Sequence, residues 1–160
     1  MAQVSANAML HAALWYAELG YPVFPCASGR KAPLTEHGLL EASTDAEQIT
    51  QWWTQHPSAN IAIRTGNGIV VVDVDGAENA WLADDPDKLA DLDVAPLSIT
   101  PRGGRQYFFH QPERRAWRNT ASRIAPRVDT RANGGDVVVA PAVVDGKPHR
   151  LGGARGLGGA

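Results

Sequence analysis

Cysteine is all but missing: Cys26 is the one thiol in 160 residues. No internal disulfide is possible, and no cysteine-based zinc site can be assembled from this chain alone. Cys26 itself reads as a small packing residue. Long apolar runs are missing as well. None approaches the roughly 18 residues of a membrane-crossing helix, and the opening MAQVSANAML lacks the basic-then-apolar layout of a secretory leader. The expectation is a cytoplasmic protein without a membrane partner. The histidines lack metal-ligand spacing: His11, His37, His56 and His149 are scattered and read as surface or helix-end residues. What remains is 44% hydrophobic and 20% charged. That composition fits one globular domain, residues 1–150, followed by a glycine-rich tail, residues 151–160, that is expected to be mobile because it has little to pack.

The net charge of −2 hides an uneven distribution. Residues 1–100 hold 13 acids against 4 cations, a net of −9, and residues 101–160 hold 4 against 11, a net of +7. Ten of those 11 cations are arginine, whose planar fork suits phosphate oxygens. Two readings follow. Either the basic part neutralises the acidic part across the fold, or a phosphate-binding face lies beside an acidic metal site.

SANAMLHAALWYAELG places Met9, Leu10, Ala13, Leu14 and Ala17 at near-helical spacing and stops at Gly20, a usual residue just past a helix end. GYPVFPCASGRKAP, broken by Pro22, Pro25 and Gly29, predicts a brief strand and a loop presenting Arg30 and Lys31. STDAEQITQWWTQHP predicts a second helix, with Thr44 as cap, Glu47 completing a capping box, and Ile49, Trp52 and Trp53 on one face; Pro57 ends it. ANIAIRTGNGIVVVDVDG predicts two strands joined at TGNG by a hairpin-type connection. AENAWLADDPDKLADL predicts a helix interrupted near Pro86. LSITPRGGRQYFFHQP predicts strand, glycine turn, strand, and APRVDTRANGGDVVVAPAVV repeats that layout with another glycine pair.

The stretch GIVVVDVDG runs aliphatic residues straight into two aspartates. On a strand Asp73 and Asp75 share a face, about 6.5–7 Å apart. Two like charges at that distance repel unless a cation lies between them, and hard oxygen ligands suit Mg²⁺ or Mn²⁺. The same pattern also occurs where a strand simply exits to solvent. RVDTR adds a third acid, with Asp129 and Arg131 on one face of their strand. If that strand neighbours the first, three carboxylates can hold two metal ions about 3.5–4 Å apart, an arrangement that activates a hydroxyl and stabilises leaving pyrophosphate. Arg131 is then available to a triphosphate; an exposed pair on an edge strand is the alternative. In TPRGGRQYFF, Gly103 and Gly104 let the backbone approach a phosphate and offer its N–H groups, flanked by Arg102 and Arg105, or they make a plain tight turn. Beyond them Gln106, Phe108 and His110 share one face and Arg105, Tyr107 and Phe109 the other, with Phe108 and Phe109 as core. Trp52 and Trp53 either stack bases or pack inside. Arg114, Arg115, Arg118, Arg123 and Arg127 either track a template backbone or line a solvated loop.

In this order the pieces resemble the bifunctional DNA primase/polymerase (prim-pol) domain of the archaeo-eukaryotic primase superfamily. The resemblance covers Ala13 to Pro141 and rests on Lys31 with Pro33, TDAEQITQWW, PSANIAIRTG, VVDVDG, TPRGGRQYFF and VDTRANGGDVVVAP. It implies an α+β fold, with a small N-terminal α/β unit joined to an RRM-like catalytic sheet. It also implies metal-dependent primer synthesis and extension, with single-stranded DNA as template, nucleoside triphosphates as substrates and a helicase as companion, in the replication of a plasmid, phage or other mobile element. Asp73, Asp75 and Asp129 become the catalytic, metal-binding acids for Mg²⁺ or Mn²⁺, and Lys31, Gly103, Gly104, Arg105, Gln106 and Arg131 the nucleotide-binding residues. One position departs. The family usually has histidine two residues after the glycine pair, and this chain has Gln106. Glutamine can hydrogen-bond a phosphate oxygen but cannot become cationic near neutral pH. His110, about 13 Å along the strand, is too far to replace it. The departure leaves a second reading open: a catalytically weak or inactive nucleic-acid-binding remnant of such a domain.

Overall fold

The computed structural model describes residues 6–66, 69–74, 97–101, 103–110, 120–125, 128–131 and 135–152. These residues form an α+β protein with few helices and antiparallel sheets. They divide into two compact units, one within Met1–Arg64 and Asp136–His149, the other within Thr65–Gly135 and Arg150–Ala160.

In the first unit, helix α1 (Ala6–Glu18) ends where its glycine predicts. Gly20 has φ +89°, and the Gly20 and Tyr21 N–H groups donate to the Ala17 and Tyr16 carbonyls at 2.9 and 3.0 Å. That crossed pair of bonds closes a helix on a left-handed glycine. Helix α2 (Ala46–Gln55) begins one residue later than a cap at Thr44 predicts. Asp45 is the cap, its carboxylate accepting from the Glu47 N–H at 3.3 Å. Aspartate outranks threonine at this position, and its charge suits the positive end of the helix. Ile49 and Trp53 are buried, and the Trp53 indole N–H donates to the Ala59 carbonyl at 3.0 Å. Trp52 is half-buried and meets Trp53 edge-on.

With strands numbered in chain order, this unit's sheet runs β1 (Val23–Cys26), β2 (Asn60–Arg64), β8 (Asp136–Val139), all antiparallel. Both faces of β2 are covered, which is why NIAIR reads as a nearly continuous apolar run. Phe24, Ala62 and Val138 are register partners on one face and pack with Cys26, Ala142, Leu39, Ala42 and Val144. Val23, Ile61, Ile63 and Val139 occupy the other face and are wholly buried. Pro25 is tolerated because β1 is the edge strand. The Tyr16 hydroxyl donates to the Ala140 carbonyl at 2.7 Å, tying α1 to the residue after β8. Cys26 is buried, as expected, and burial together with the Asp136 charge pushes its thiol up to about 12, so it is no nucleophile. A short hairpin of β9 (Val143–Val144) and β10 (Lys147–Pro148) completes the unit.

The second unit contains β3 (Ile69–Val74), β4 (Leu97–Ile99), β5 (Arg105–His110), β6 (Thr120–Ala125), β7 (Val128–Arg131) and β11 (Arg150–Gly152). They form one antiparallel sheet in the order β11-β4-β5-β3-β7-β6. Two expectations are corrected here. The strands on either side of TGNG exist and the reversal between them closes, Gly66 and Ile69 exchanging N–H···O=C bonds at 2.7 and 3.1 Å, but the ladder stops at that bridge: β2 pairs with β1 and β8, whereas β3 pairs with β5 and β7. The strands around the second glycine pair, β7 and β8, likewise lie in different sheets. Turn residues permit a reversal without choosing the partner, and β3 finds in β5 a ladder running its whole length, from Ile69 to Val74. The LSIT and RQYFFH strands do form the expected hairpin. Leu151 and Gly152, assigned to the glycine-rich tail, pair with Ser98 and Leu97 at the sheet edge. Residues 153–160, the AENAWLADDPDKLADL segment, Asp75, Arg102, Arg114, Arg115, Arg118 and Arg127 lie outside the described residues.

Candidate active site

Strand β3 carries the first candidate acid out of the core. Val71 and Val72 alternate between faces and both are buried, so the sheet is covered on both sides at this point. Asp73, next along, is only half-buried, although its Oδ1 is shielded from solvent. Its register partner on β5 is Gln106, and on β7 it is Asp129. Gln106 in turn is opposite Ser98 on β4. Positions 98, 106, 73 and 129 thus form one row across four neighbouring strands, with about 4.5–5.5 Å between the Cα atoms of successive partners. The condition set by the sequence, that the strand of Asp129 neighbours that of Asp73, is met. Strand β7 is not an edge, because β6 lies on its far side.

Gln106 is 5% exposed, and its Oε1 accepts no hydrogen bond among the described residues. Burying an amide oxygen without a partner costs about 1–3 kcal/mol. Core packing alone gives no reason to keep such a group at the centre of a sheet, and buried strain of this kind gathers at functional positions.

The glycine turn between β4 and β5 is a tight one. The Gly103 N–H donates to the Thr100 carbonyl at 2.9 Å, and the Thr100 N–H donates to the Gly104 carbonyl at 2.8 Å. Gly103 takes φ +82°, which is what a turn followed by a glycine bulge requires. The Gly103 amide therefore donates inside the turn. Arg105 is opposite Val74 and Ile99, so it points to the face away from Gln106. Its half-buried side chain does not join the row. Arg131 is the register partner of Val71, two residues along β7 from Asp129.

Lys31 belongs to the first unit, exposed beside the equally exposed Arg30 on the loop after β1. His11, His37 and His56 are exposed, as expected. His149 is not: it is 6% exposed, and its Nδ1 is buried with no hydrogen-bond partner among the described residues. Burial and the nearby Lys31 charge hold its pKa below the ordinary value, with the Ala142 carbonyl opposing the shift. Its place next to the β10 strand, with its N–H donating to Ala142 at 2.7 Å, accounts for the burial that a lone histidine in DGKPHR does not signal.

Sequence reasoning also passes over the buried polar groups of Ser98, Asn60 and Tyr107. All three are buried, and the Tyr107 hydroxyl has no hydrogen-bond partner among the described residues. The available signal for the first two is a polar residue between apolar ones in PLSIT and SANIAI, where packing alone calls for another aliphatic.

Among the described residues no group of three or more His, Cys, Asp or Glu is gathered for a metal ion. The row brings the positions of Asp73, Asp129 and Gln106 into register, two carboxylate residues and an amide. These are hard oxygens, a set that fits Mg²⁺ or Mn²⁺ and not a soft metal.

The class is defined by an antiparallel α+β framework in which two acidic positions stand side by side on neighbouring central strands. The chain belongs to the bifunctional DNA primase/polymerase N-terminal family, Prim-Pol, whose family model matches residues 13–155. Membership makes it a domain of the primase/polymerase nucleotidyltransferase class, which binds nucleic acid and nucleotides. No curated protein matches the chain significantly. No helix among the described residues is long and apolar enough to cross a membrane.

Proposed function

We propose that this chain is a template-directed DNA primase/polymerase whose reaction is run from the row Gln106–Asp73–Asp129. Asp73, Asp129 and Asp75 hold Mg²⁺ or Mn²⁺, which when bound neutralises the charge of the triphosphate and of the leaving pyrophosphate. The oxygen of a primer 3′-hydroxyl attacks the α-phosphorus of the incoming nucleotide in line. As that P–O bond forms, the bond to the β-phosphate bridging oxygen breaks, pyrophosphate leaves and the hydroxyl proton passes to solvent water. The side chains supply positioning and charge. Gln106 donates its amide N–H to a phosphate oxygen without titrating, Arg131 adds a cationic contact, and the Gly103–Gly104 turn fixes the start of β5; Lys31, in the other unit, is read as a nucleotide-binding residue on the family resemblance alone. The arginines from Arg114 to Arg127 contact the phosphates of a single-stranded DNA template.

The supporting observation is the register that makes Asp73 the direct partner of both Gln106 and Asp129. In this reading the six-stranded sheet is the RRM-like catalytic sheet of the family, residues 1–150 are the catalytic domain, and the protein serves replication of a mobile element alongside a helicase. The test is labelled-nucleotide incorporation on single-stranded and primed templates, with Mg²⁺ and Mn²⁺ supplied separately, comparing wild type with Asp73→Asn. Product in the wild type alone, from two proteins with matching circular dichroism, supports the assignment. Equal incorporation by both removes Asp73 from the chemistry, and DNA binding without incorporation by the wild type selects the non-catalytic remnant.

A further inference from the structure

The side-chain oxygen of Gln106 is buried without an answer from the fold, and its surroundings indicate what would answer it. Among the described residues Oε1 accepts no hydrogen bond, and the residue that carries it is only 5% exposed. Direct cross-strand partners point to the same face of a sheet, so Gln106 has Ser98 of β4 on one side and Asp73 of β3 on the other. Two residues along the strands, the same face carries Phe108 and its partner Val71. All five residues belong to the second unit.

None of these neighbours satisfies the oxygen. Phe108 and Val71 are buried and have no side-chain donor. Ser98 is wholly buried and carries a hydroxyl, but does not donate it to Oε1. An ionised carboxylate such as that of Asp73 only accepts, and Asp73 Oδ1 is itself shielded from solvent. An amide oxygen and a carboxylate thus occupy partner positions on adjacent strands, with about 4.5–5.5 Å between their Cα atoms. Two acceptors placed opposite each other away from water are unfavourable by themselves. A hard cation is the partner that suits both, because Mg²⁺ and Mn²⁺ take neutral carbonyl oxygens as well as carboxylates.

We propose that Gln106 is a metal ligand: its Oε1 serves the same Mg²⁺ or Mn²⁺ ion as Asp73, a neutral oxygen donor beside a charged one. This rests on the reading of Asp73 as a metal-binding acid and adds a ligand that counting carboxylates does not find. An amide keeps its oxygen and its N–H groups on separate atoms. The oxygen can therefore serve the ion while an N–H is left for a phosphate oxygen. A cationic side chain at this position would repel the ion, whereas the amide is neutral and does not titrate.

The experiment measures binding of Mn²⁺ alone, without nucleotide or DNA, to the full chain by the loss of the free-ion electron paramagnetic resonance signal. Wild type is compared with Gln106→Leu, Gln106→Met and Asp73→Asn, and the melting temperature of each is followed with and without the ion. Leucine and methionine are neutral, as glutamine is, so the charge around the ion stays the same and the hard oxygen alone is lost. Both variants should bind Mn²⁺ about 3- to 10-fold more weakly, because water takes the vacated position, and Asp73→Asn roughly 10-fold or more, because a charge goes as well. The rise in melting temperature that a fixed Mn²⁺ concentration gives the wild type should shrink in both Gln106 variants. If both bind Mn²⁺ as tightly as wild type while Asp73→Asn binds it weakly, the proposal fails and Asp73 keeps its role. Weaker binding that comes with a lower metal-free melting temperature in both Gln106 variants makes Gln106 structural and overturns the proposal too. Unchanged affinity in Asp73→Asn, or no binding by the wild type, overturns both readings.

Discussion

Replacing Gln106 by leucine separates what this residue does for the fold from what it does for the site. Leucine nearly matches the glutamine side chain in volume and lacks its amide. Gln106 is 5% exposed, and its Oε1 is buried without a hydrogen-bond partner among the described residues. Removing an unsatisfied buried oxygen returns about 1–3 kcal/mol, and imperfect packing of the new branch takes back under about 1.5 kcal/mol. The net expectation is a gain of about 1 kcal/mol, or a rise of about 2–4 °C in melting temperature for a chain of this size. Incorporation should move the other way. Loss of a hydrogen bond to a charged phosphate, about 1.5–3 kcal/mol, lowers kcat/KM by roughly 10- to 100-fold. Calorimetry is the assay of choice for the first quantity, because two units can unfold in separate transitions. Single-nucleotide extension of a primed template supplies the second. A leucine variant less stable than wild type would refute the reasoning, since the amide would then be holding the folded protein together. A more stable variant with unchanged incorporation would take Gln106 out of the site.

Two further outcomes follow from buried polar groups in the first unit. Tyr16→Phe removes the 2.7 Å hydrogen bond to the Ala140 carbonyl and should cost about 0.5–1.5 kcal/mol in urea denaturation; an unchanged midpoint would mean that the bond adds nothing net to stability. His149 has its folded pKa lowered by burial and by Lys31, so as pH falls the unfolded chain takes up the proton first, near its ordinary value of about 6.5. Stability that is present above that pH is lost as pH falls toward the lower folded value, and His149→Gln should flatten the decline of melting temperature in that window. Equal slopes in the two proteins would assign the decline to other groups.

The sequence conveyed strand existence well and strand partnership poorly. The runs NIAIR and IVVVDV are strands because aliphatic residues that are buried on both faces need no alternation, a property of the residues themselves. Their assignment to separate sheets depends on β8 and β5, which lie far along the chain and leave no mark on TGNG. The glycine turn after LSIT was legible because a hairpin is closed locally, by Thr100, Gly103 and Gly104. The candidate site followed the same division. Spacing alone singled out Asp73 with Asp75, and RVDTR offered Asp129 as a third acid, but the adjacency of Asp73 and Asp129 needed the β3–β7 ladder. Spacing also put Arg105 on the face away from Gln106, yet only the register showed that this separates it from Asp73 as well. His149 and Asn60 were missed for a related reason: one buried polar side chain has no periodicity, and its meaning lies in what it touches.

The chain passes between its two units at Arg64, at Gly135 and again at His149, and this threading orders events during synthesis. When β2 leaves the ribosome its neighbour β1 already exists, but β8 is not made until the whole of the intervening acid-bearing segment has been translated. Until then the nascent chain carries a hydrophobic strand with one bare edge, an invitation to pair with other chains. Any gene rearrangement that cuts before Asp136 leaves the same bare edge permanently. Inheritance of this module is therefore all or nothing: recombination can hand it on whole, but cannot donate the small helical unit or the large sheet as an uninterrupted piece.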